Sequence, residues 1–176
     1  MLLASRTLPT YIEPNVSVSC PETGSYEVGT SITPTFTAIF NEGSYQYNQN
    51  ESTGVTISNW SATFNEKTLN SDNGIFDTIT LEDNFNKRIG VIATHSTGIA
   101  PKDNLGNTVT DSDELLKCQI QAGTKIGYSG YIKSFRYQFF GSNINPIDLT
   151  SDNIRVLEKR EASKTAIEMT VLEGSN

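Results

Sequence analysis

Apolar and polar residues alternate most clearly in the first third of the chain. Between residues 32 and 40, apolar residues and one proline occupy the even positions, and threonine occupies three of the odd ones. A period of two with polar residues on one side predicts a half-buried antiparallel strand. Pro34 has no amide hydrogen to donate to a neighbouring strand, so we expect this strand to lie at a sheet edge there.

Shorter runs of the same kind recur along the rest of the chain, with turn-forming residues between them. They cover residues 16–20, 55–64, 75–81, 88–95, 115–120, 127–141 and 164–172. In the second of these runs, the parity of the apolar positions changes after Ile57. This change predicts a β-bulge at about Ser58 and Asn59, or a strand that is covered on both faces.

The most aromatic run extends from residue 127 to residue 141. Tyr131, Phe135, Tyr137 and Phe139 share one parity in it. Alternating aromatic residues of this kind predict one long strand, central in its sheet or late in the chain, with the four rings on one face.

One segment late in the chain has the pattern of a helix. Thr150 or Ser151 can cap its start, Ile154 and Leu157 are three residues apart, and it would end near Ala162. About seven or eight short strands and this single helix predict an all-β fold, a two-sheet antiparallel β-sandwich with one short late helix. The predicted core consists of Phe36, Phe40, Trp60, Ile79, Val91, Tyr131, Phe135 and Ile154.

Residues 1–15 show no sustained period, and they contain Pro9 and Pro14. We therefore predict an N-terminal arm or linker over residues 1–24, with a first strand near its end, and a β-sandwich domain over residues 25–176 that is incomplete at its C-terminus. The arm is expected to have no fold of its own and to dock on another protein chain. Its candidate docking residues are Leu2, Leu3, Leu8, Tyr11 and Ile12.

The charge balance excludes two classes of partner. The chain has 13 Lys and Arg residues against 20 Asp and Glu residues, which gives a formal net charge of −7. Nucleic acids and anionic lipids need a basic face, so neither is an expected partner. No run approaches ~18 apolar residues, so we expect no membrane insertion. The first four residues lack the basic region of a signal peptide, which indicates synthesis in the cytoplasm.

The two cysteines leave two readings open. Cys20 and Cys118 are far apart in sequence, and a disulfide between an early and a late strand is geometrically feasible. Small secreted scaffolds usually carry a denser set of cysteines. Two free, half-buried thiols in a reducing compartment are therefore the favoured reading.

No residue pattern indicates catalysis. The single histidine, His95, would have to serve any Ser-His or Cys-His arrangement, and no nucleophile motif surrounds it. We expect a structural histidine, no cofactor and no enzymatic activity. The acidic turns at residues 71–74 and 111–114 carry oxygen ligands suited to calcium, but neither matches a twelve-residue binding loop. Turn-stabilising roles are favoured for them, and no metal site is predicted.

A tyrosine-containing loop is the one candidate for ligand binding. Tyr45 and Tyr47 lie among asparagine and glutamine residues, and tyrosine with asparagine suits stacking on and hydrogen bonding to sugars. The favoured alternative is that these tyrosines fold back onto the β-sandwich.

Two stretches of the chain resemble a known type of module. The first is SYEVGTSIT at residues 25–33, followed by FTAIF at 36–40 and GSY at 43–45. The second is GYIKSFRYQFFG at residues 130–141, followed by LTSDNIR at 149–155, with short matches at 53–55 and 103–106. These segments resemble Ig-like β-sandwich modules in virion proteins of tailed bacteriophages, including tail, fibre and appendage components of phages that infect gut Bacteroides-type bacteria.

This resemblance implies an Ig-like sandwich in a non-catalytic virion structural protein, assembled in the host cytoplasm as an oligomerising module of a tail, fibre or capsid appendage. The implied partners are other virion proteins and copies of the same chain. The alternative is a host-receptor or carbohydrate-binding module at an appendage tip, with a host surface glycan as its ligand. The shared motifs are structural, so no functional residue follows from them.

Overall fold

The computed structural model describes residues 5–136 and the backbone of two further short strands near the C-terminus. Within these residues the chain is all-β, with one short helix. The strands are β1 (Tyr11–Ile12), β2 (Asn15–Ser19), β3 (Gly24–Glu27), β4 (Ser31–Ile32), β5 (Thr35–Asn41), β6 (Ser44–Tyr45), β7 (Ile57–Phe64), β8 (Lys67–Leu69), β9 (Asn73–Ile75), β10 (Ile79–Thr80), β11 (Asn86–Lys87), β12 (Gly90–His95), β13 (Gly123–Tyr128), β14 (Ile132–Phe135), β15 (Ile154–Val156) and β16 (Met169–Val171). The helix is α1 (Ser112–Cys118), between β12 and β13.

The chain divides into two compact units, each built from separate stretches of sequence. The first contains Met1–Thr23, Thr33–Asp77 and Lys87–Tyr131, and the second contains Gly24–Ile32, Thr78–Asn86 and Ile132–Asn176. The sequence predicts an arm and a single domain, and that assignment of domains stays a prediction; the division into these units was not foreseen. Local periodicity does not reveal it, because each unit brings together strands that are remote in the chain.

The first unit contains two antiparallel sheets, with strand orders β2–β5–β9 and β13–β12–β7–β8, and the separate pair β1–β6. Alternate residues of the central strands are buried. They are Phe36 and Ala38 in β5, and Val91, Ala93 and His95 in β12. The alternation that predicts half-buried strands here is confirmed.

Aromatic rings join the inner faces of these two sheets. The ring of Phe40 lies 6.5 Å from that of Trp60 in a nearly perpendicular arrangement. Phe76 lies 5.4 Å from Phe36 and 5.6 Å from Phe64. Such pairs typically contribute ~0.5–1.5 kcal/mol beyond the area they bury, so the rings fix one sheet against the other.

Two local predictions for these sheets have different outcomes. The β-bulge is confirmed, because His95 lies opposite Ile57 while its neighbour Thr94 lies opposite Asn59, which leaves Ser58 as the extra residue. The edge position predicted from Pro34 is wrong, because β5 is the central strand of its sheet. Because Pro34 precedes β5, its missing amide hydrogen costs no strand pairing. Its carbonyl accepts the amide hydrogen of Phe76.

The second unit contains short sheets. Strand β14 is parallel to β3, with Ile132 opposite Gly24 and Phe135 opposite Glu27, in a sheet of order β11–β14–β3. Strands β4 and β10 form one antiparallel pair, and β15 and β16 form another.

The aromatic run does not form one long strand. Strand β13 ends at Tyr128, and β14 begins at Ile132 with a different partner. Ile132 is fully buried while Tyr131 and Phe135 are exposed, so the face predicted to be buried is the outer one here. Tyr137 and Phe139 lie outside the described residues.

The helix is also in a different place. Residues 154–156, within the segment predicted as helical, form β15, and the observed helix covers Ser112–Cys118, where the sequence predicts a strand. Asp111 caps this helix by accepting the amide hydrogens of Asp113 and Glu114, and Lys117 lies in its last turn. The favourable cap and end charges outweigh the short alternation of apolar residues at 116–120. No helix among the described residues is long and apolar enough to cross a membrane.

The predicted core is partly correct. Phe36 and Val91 are buried, and Phe40, Trp60 and Ile79 are half-buried. Tyr131 and Phe135 are exposed, which is wrong for core residues, and the side chain of Ile154 lies outside the described part. Cys20 and Cys118 are both free, as the favoured reading predicts, and they are buried rather than half-buried.

Candidate functional site

Tyr45, one of the two candidate ligand-facing tyrosines, points into the first unit. Its side chain is only 2% exposed. Its hydroxyl donates to the carbonyl of Ile99 at 2.9 Å and accepts the amide hydrogen of Ile120 at 3.2 Å. Burial raises the pKa of Tyr45. Tyr45 therefore folds back into the first unit, which is the alternative that the sequence favours, because its ring packs in the core and its hydroxyl pairs two backbone groups.

A glycine makes room for this tyrosine. A Cβ atom at Gly98 would lie 2.5 Å from the Tyr45 hydroxyl and 2.9 Å from the carbonyl oxygen of Thr53. Thr53 is itself fully buried, and its hydroxyl donates to Glu42. The loop after β12 can therefore approach Tyr45 only where it has no side chain.

Tyr47, the second candidate, is 39% exposed. It follows Gln46, which lines a shallow pocket. The pocket has a volume of about 230 Å³. The side-chain oxygen of Gln46 accepts hydrogen bonds from the amide and the hydroxyl of Thr10. Among the described residues, none that lines the pocket is charged, so its chemistry suits a small neutral group that forms hydrogen bonds. Its lining consists of Thr10, Tyr11, Ile12, Ser44, Gln46 and Gln49.

The N-terminal segment packs on its own chain. Tyr11 pairs with Tyr45 and Ile12 with Ser44, as strands β1 and β6. Leu8 is half-buried, as is Tyr11, whereas Ile12 is 67% exposed. Residues 5–15 therefore differ from the predicted unfolded docking arm, and the candidate docking residues Leu2 and Leu3 lie outside the described part of the chain.

Arg6 and Asp103 hold this segment to a distant loop. The Arg6 guanidinium contacts Asp103 at 2.9 Å and Glu114 at 2.8 Å. The Asp103 carboxylate, which is 1% exposed, also accepts the amide hydrogens of Leu105 and Asn107. Burial opposes ionisation of Asp103, but these hydrogen bonds outweigh it and hold its pKa below the ordinary range. Sequence reasoning missed this contact because the partners are remote in the chain.

His95 is a buried residue on the inner face of β12. Its Nδ1 lies 3.0 Å from the carbonyl oxygen of Ser96, which can only accept, so Nδ1 carries the hydrogen. Its ring lies 5.7 Å from that of Phe40. Its Nε2 is buried and has no hydrogen-bond partner among the described residues. The observed contacts are those of a packed core residue.

The two acidic turns stabilise the backbone. Asp111 caps α1, and the hydroxyl of Ser71 accepts the amide hydrogen of Asn73. These are the turn roles that the sequence favours for them. Among the residues that the structure describes, no group of three or more His, Cys, Asp or Glu side chains is arranged to hold a metal ion.

The four-stranded sheet has an exposed outer face that sequence reasoning did not single out. Ile92 in β12 lies directly opposite Ile126 in β13, and Tyr128 is the next residue of β13 on the same side. The three side chains are between 38% and 54% exposed. These three residues become neighbours only through the register of β12 and β13, which the sequence does not reveal.

The chain matches no family model, no curated protein and no solved structure.

Proposed function

We propose that this protein is a non-catalytic structural module of a bacteriophage virion, an oligomerising part of a tail, fibre or capsid appendage. The observation that carries the proposal is the anchoring of the long connection between β12 and α1. Long connections of this kind often provide mobile binding or catalytic loops. In this protein the connection is held by partly buried hydrogen bonds, which suits a rigid building block.

The anchors are distributed along the whole connection. The Gln119 side chain donates to the carbonyl of Gly98 at 2.7 Å, and the Tyr45 hydroxyl donates to Ile99. Farther along, the amide of Val109 donates to the carbonyl of Pro101, and Asp103 closes the turn that follows it. Local opening of this connection would break several partly buried hydrogen bonds at once, so we expect it to be rigid.

An Ig-like sandwich is the architecture we propose for the two antiparallel sheets of the first unit. The contact of Phe40 with Trp60 between their inner faces supports it. The motif residues that resemble phage modules also have structural roles here. Gly43 has a positive φ of 78° in the turn before β6, and Tyr45 is the buried anchor.

The proposal is tested on purified phage particles. Particles from a producing culture are purified by density gradient, and the protein is quantified against a major structural protein by mass spectrometry. A fixed ratio of copies across independent preparations is the expected result. Presence of the protein in the infected lysate without its enrichment in particles would refute the virion role.

A host-receptor or carbohydrate-binding module is the second candidate, and the pocket between Thr10 and Gln49 favours it. The pocket has a neutral, hydrogen-bonding lining and a volume of about 230 Å³. Pockets for drug-sized ligands span ~300–1,000 Å³, so this smaller pocket suits one group of a glycan. Saturation-transfer NMR with glycans isolated from the host surface tests binding. Gln49→Ala should weaken the signal, whereas Gln121→Ala, an exposed glutamine outside the pocket, should not.

A further inference from the structure

Arg88 differs from the other arginines that the structure describes, because no carboxylate binds its guanidinium. Arg6 and Arg136 each form an ion pair with an aspartate side chain. The side chain of Arg88 is exposed, and within the described part of the chain it forms no ion pair and no hydrogen bond. Acidic residues outnumber basic ones by 20 to 13 in this protein, so its own carboxylates are plentiful. The charge of Arg88 is therefore available to a ligand.

Two aromatic rings hold this guanidinium in place. Its central carbon lies 3.8 Å from the centroid of the Tyr128 ring and 5.0 Å from that of Tyr131. A separation of 3.8 Å fits stacking of the planar guanidinium on the ring of Tyr128. In a stacked guanidinium the five N–H donors point outward in its plane, where they can bind both oxygens of a carboxylate at once.

The backbone fixes the position of Tyr128. This residue lies opposite Gly90, and a Cβ atom at Gly90 would lie 3.1 Å from an edge carbon of the tyrosine ring. The hydroxyl of Ser129 accepts the amide hydrogen of Ile89 at 3.0 Å, which holds the two chain segments together just beyond the end of β12. The ring and the cation are therefore arranged before a ligand binds, which lowers the entropic cost of binding.

Hydroxyl groups lie on the same side of the sheet. Gly90 is opposite Thr63, and Thr63 is opposite Thr68. Directly opposed residues of an antiparallel sheet project to the same side, so one row across four strands contains two threonines, a glycine and a tyrosine. Both threonines are exposed, and their hydroxyl oxygens lie 3.3 Å apart.

We call this row, together with the cation and the second ring beside it, the Arg88 platform. It consists of Thr63, Thr68, Arg88, Gly90, Tyr128 and Tyr131, which all belong to the first unit.

Charge indicates the class of ligand. One guanidinium matches the single charge of a carboxylate better than a phosphate group, which carries about −1.5 to −2 at neutral pH. The net charge of −7 repels an acidic macromolecule. It affects a small acid much less, because charges farther away than ~8 Å are largely screened at physiological ionic strength. The ligand that fits is a small molecule with one carboxylate.

We propose that the Arg88 platform binds a sugar that carries a carboxylate, as uronic and sialic acids do. The guanidinium binds the carboxylate, the exposed parts of the tyrosine rings contact the C–H groups of the sugar, and the threonine hydroxyls bind its hydroxyl groups. This site goes beyond the structural role proposed above and does not depend on it. It shares no residue with the pocket between Thr10 and Gln49.

An NMR titration of the isotope-labelled full chain tests the proposal. Methyl galacturonide and methyl galactoside are compared, since they differ only in a carboxylate against a hydroxymethyl group, and a methyl sialoside is titrated in parallel. For at least one acid we expect a dissociation constant of about 1–10 mM, and binding of the neutral sugar at least ~tenfold weaker. The shifted amide signals should be those of residues 88–92 and 126–131. No binding of either acid up to ~50 mM would overturn the proposal, as would equal binding of the neutral sugar.

Two further probes test the chemistry of the ligand. Acetate has the carboxylate without the sugar ring, so it should bind more weakly than the acidic sugar. Inorganic phosphate should also bind more weakly, because a single guanidinium does not neutralise it. Equal or tighter binding of either probe would refute the assignment to an acidic sugar.

Matched variants locate the site. Arg88→Gln should weaken binding of the acidic sugar at least ~tenfold, and Arg88→Lys should weaken it less, because lysine keeps the charge but loses the planar pair of donors. Lys117→Gln, at an exposed lysine of α1, removes the same charge elsewhere and should leave binding unchanged. Equal weakening by Arg88→Gln and Lys117→Gln would reduce the effect to overall charge and contradict the site.

A pocket variant separates the two candidate sugar sites. Gln49→Ala should leave binding of the acidic sugar unchanged, and the amide spectrum of each variant shows whether its fold is intact. Loss of binding in Gln49→Ala with full binding in Arg88→Gln would place the ligand in the pocket and overturn the Arg88 platform. Because all of these measurements use the purified chain, absence of the protein from phage particles would refute only the virion role.

Discussion

The hydroxyl of Tyr45 connects three segments of the first unit that are far apart in sequence. It lies in β6, donates to Ile99 in the loop after β12, and accepts from Ile120 in the segment after α1. Since the side chain is buried, water cannot replace either bond when the hydroxyl is removed.

Tyr45→Phe should lower the free energy of unfolding by about 1–3 kcal/mol, because it leaves the buried amide of Ile120 without an acceptor. Urea denaturation followed by fluorescence measures the change. Tyr47→Phe, at an exposed tyrosine two residues away, should change stability by less than about 0.5 kcal/mol. Equal effects of the two substitutions would show that the hydrogen bonds of Tyr45 contribute nothing specific.

Asp103 should make stability depend on pH. Its folded pKa is lower than its unfolded value of about 3.9, so its contribution is fully present above that value and is lost as the pH falls through the folded pKa. Asp103→Asn keeps an acceptor for the loop amides but removes the charge that pairs with Arg6. We therefore expect melting temperature to fall less steeply in this variant than in the parent protein as the pH drops below about 4.

The control for this measurement is Asp77→Asn, at an aspartate whose side chain is 77% exposed. This variant should follow the pH dependence of the parent protein. An unchanged slope in Asp103→Asn would show that the loop is held by neutral hydrogen bonds alone.

At the scale of elements, the close approach of β13 and β2 depends on glycine. A Cβ atom at Gly127 would lie 2.4 Å from the carbonyl oxygen of Val16 in β2. This oxygen belongs to the backbone, so no side-chain rotation can relieve the clash. Gly123 occupies the same side of β13, but a Cβ atom there would meet only His95 Nε2 at 3.8 Å, an ordinary contact. The same strand therefore contains one glycine, Gly127, where a side chain would force the backbone to move, and one, Gly123, where there is room for a methyl group.

Gly127→Ala should destabilise the protein by about 1–3 kcal/mol, because one of the two strands has to move. Gly123→Ala should be neutral or slightly stabilising, because alanine reduces the entropy of the unfolded chain. Thermal unfolding of both variants gives the comparison. Similar melting temperatures for the two would show that β2 and β13 separate without cost.

At the scale of the whole molecule, residues 5–15 belong to the first unit even though the sequence predicts a free arm. In a verified monomer we expect limited trypsin digestion to leave the bond after Arg6 intact until the unit unfolds globally, because Arg6 and β1 are held by distant partners. Asp103→Ala should expose this bond, whereas Asp77→Ala should not. Rapid cleavage after Arg6 in the parent protein would restore the prediction of a free arm.

Properties that depend on near neighbours in the chain follow from the amino-acid sequence alone. The alternation around Phe36 predicts a half-buried strand, the change of parity after Ile57 predicts the bulge at Ser58, and the isolated cysteines favour free thiols. Each of these follows from the geometry of a strand or from the spacing of residues, so no knowledge of the partner strand is needed. The all-β class follows in the same way.

Contacts between residues that are remote in the chain are set by the fold. It placed Tyr45 inside, paired Arg6 with Asp103, put β5 at the centre of its sheet and brought Ile92 beside Ile126 on an exposed face. It also placed the helix at 112–118, where the cap at Asp111 outweighs a short alternation. The physical reason is that a period of two defines the two faces of a strand but does not say which face is covered, or by which element. The covered face depends on contacts between remote parts of the chain.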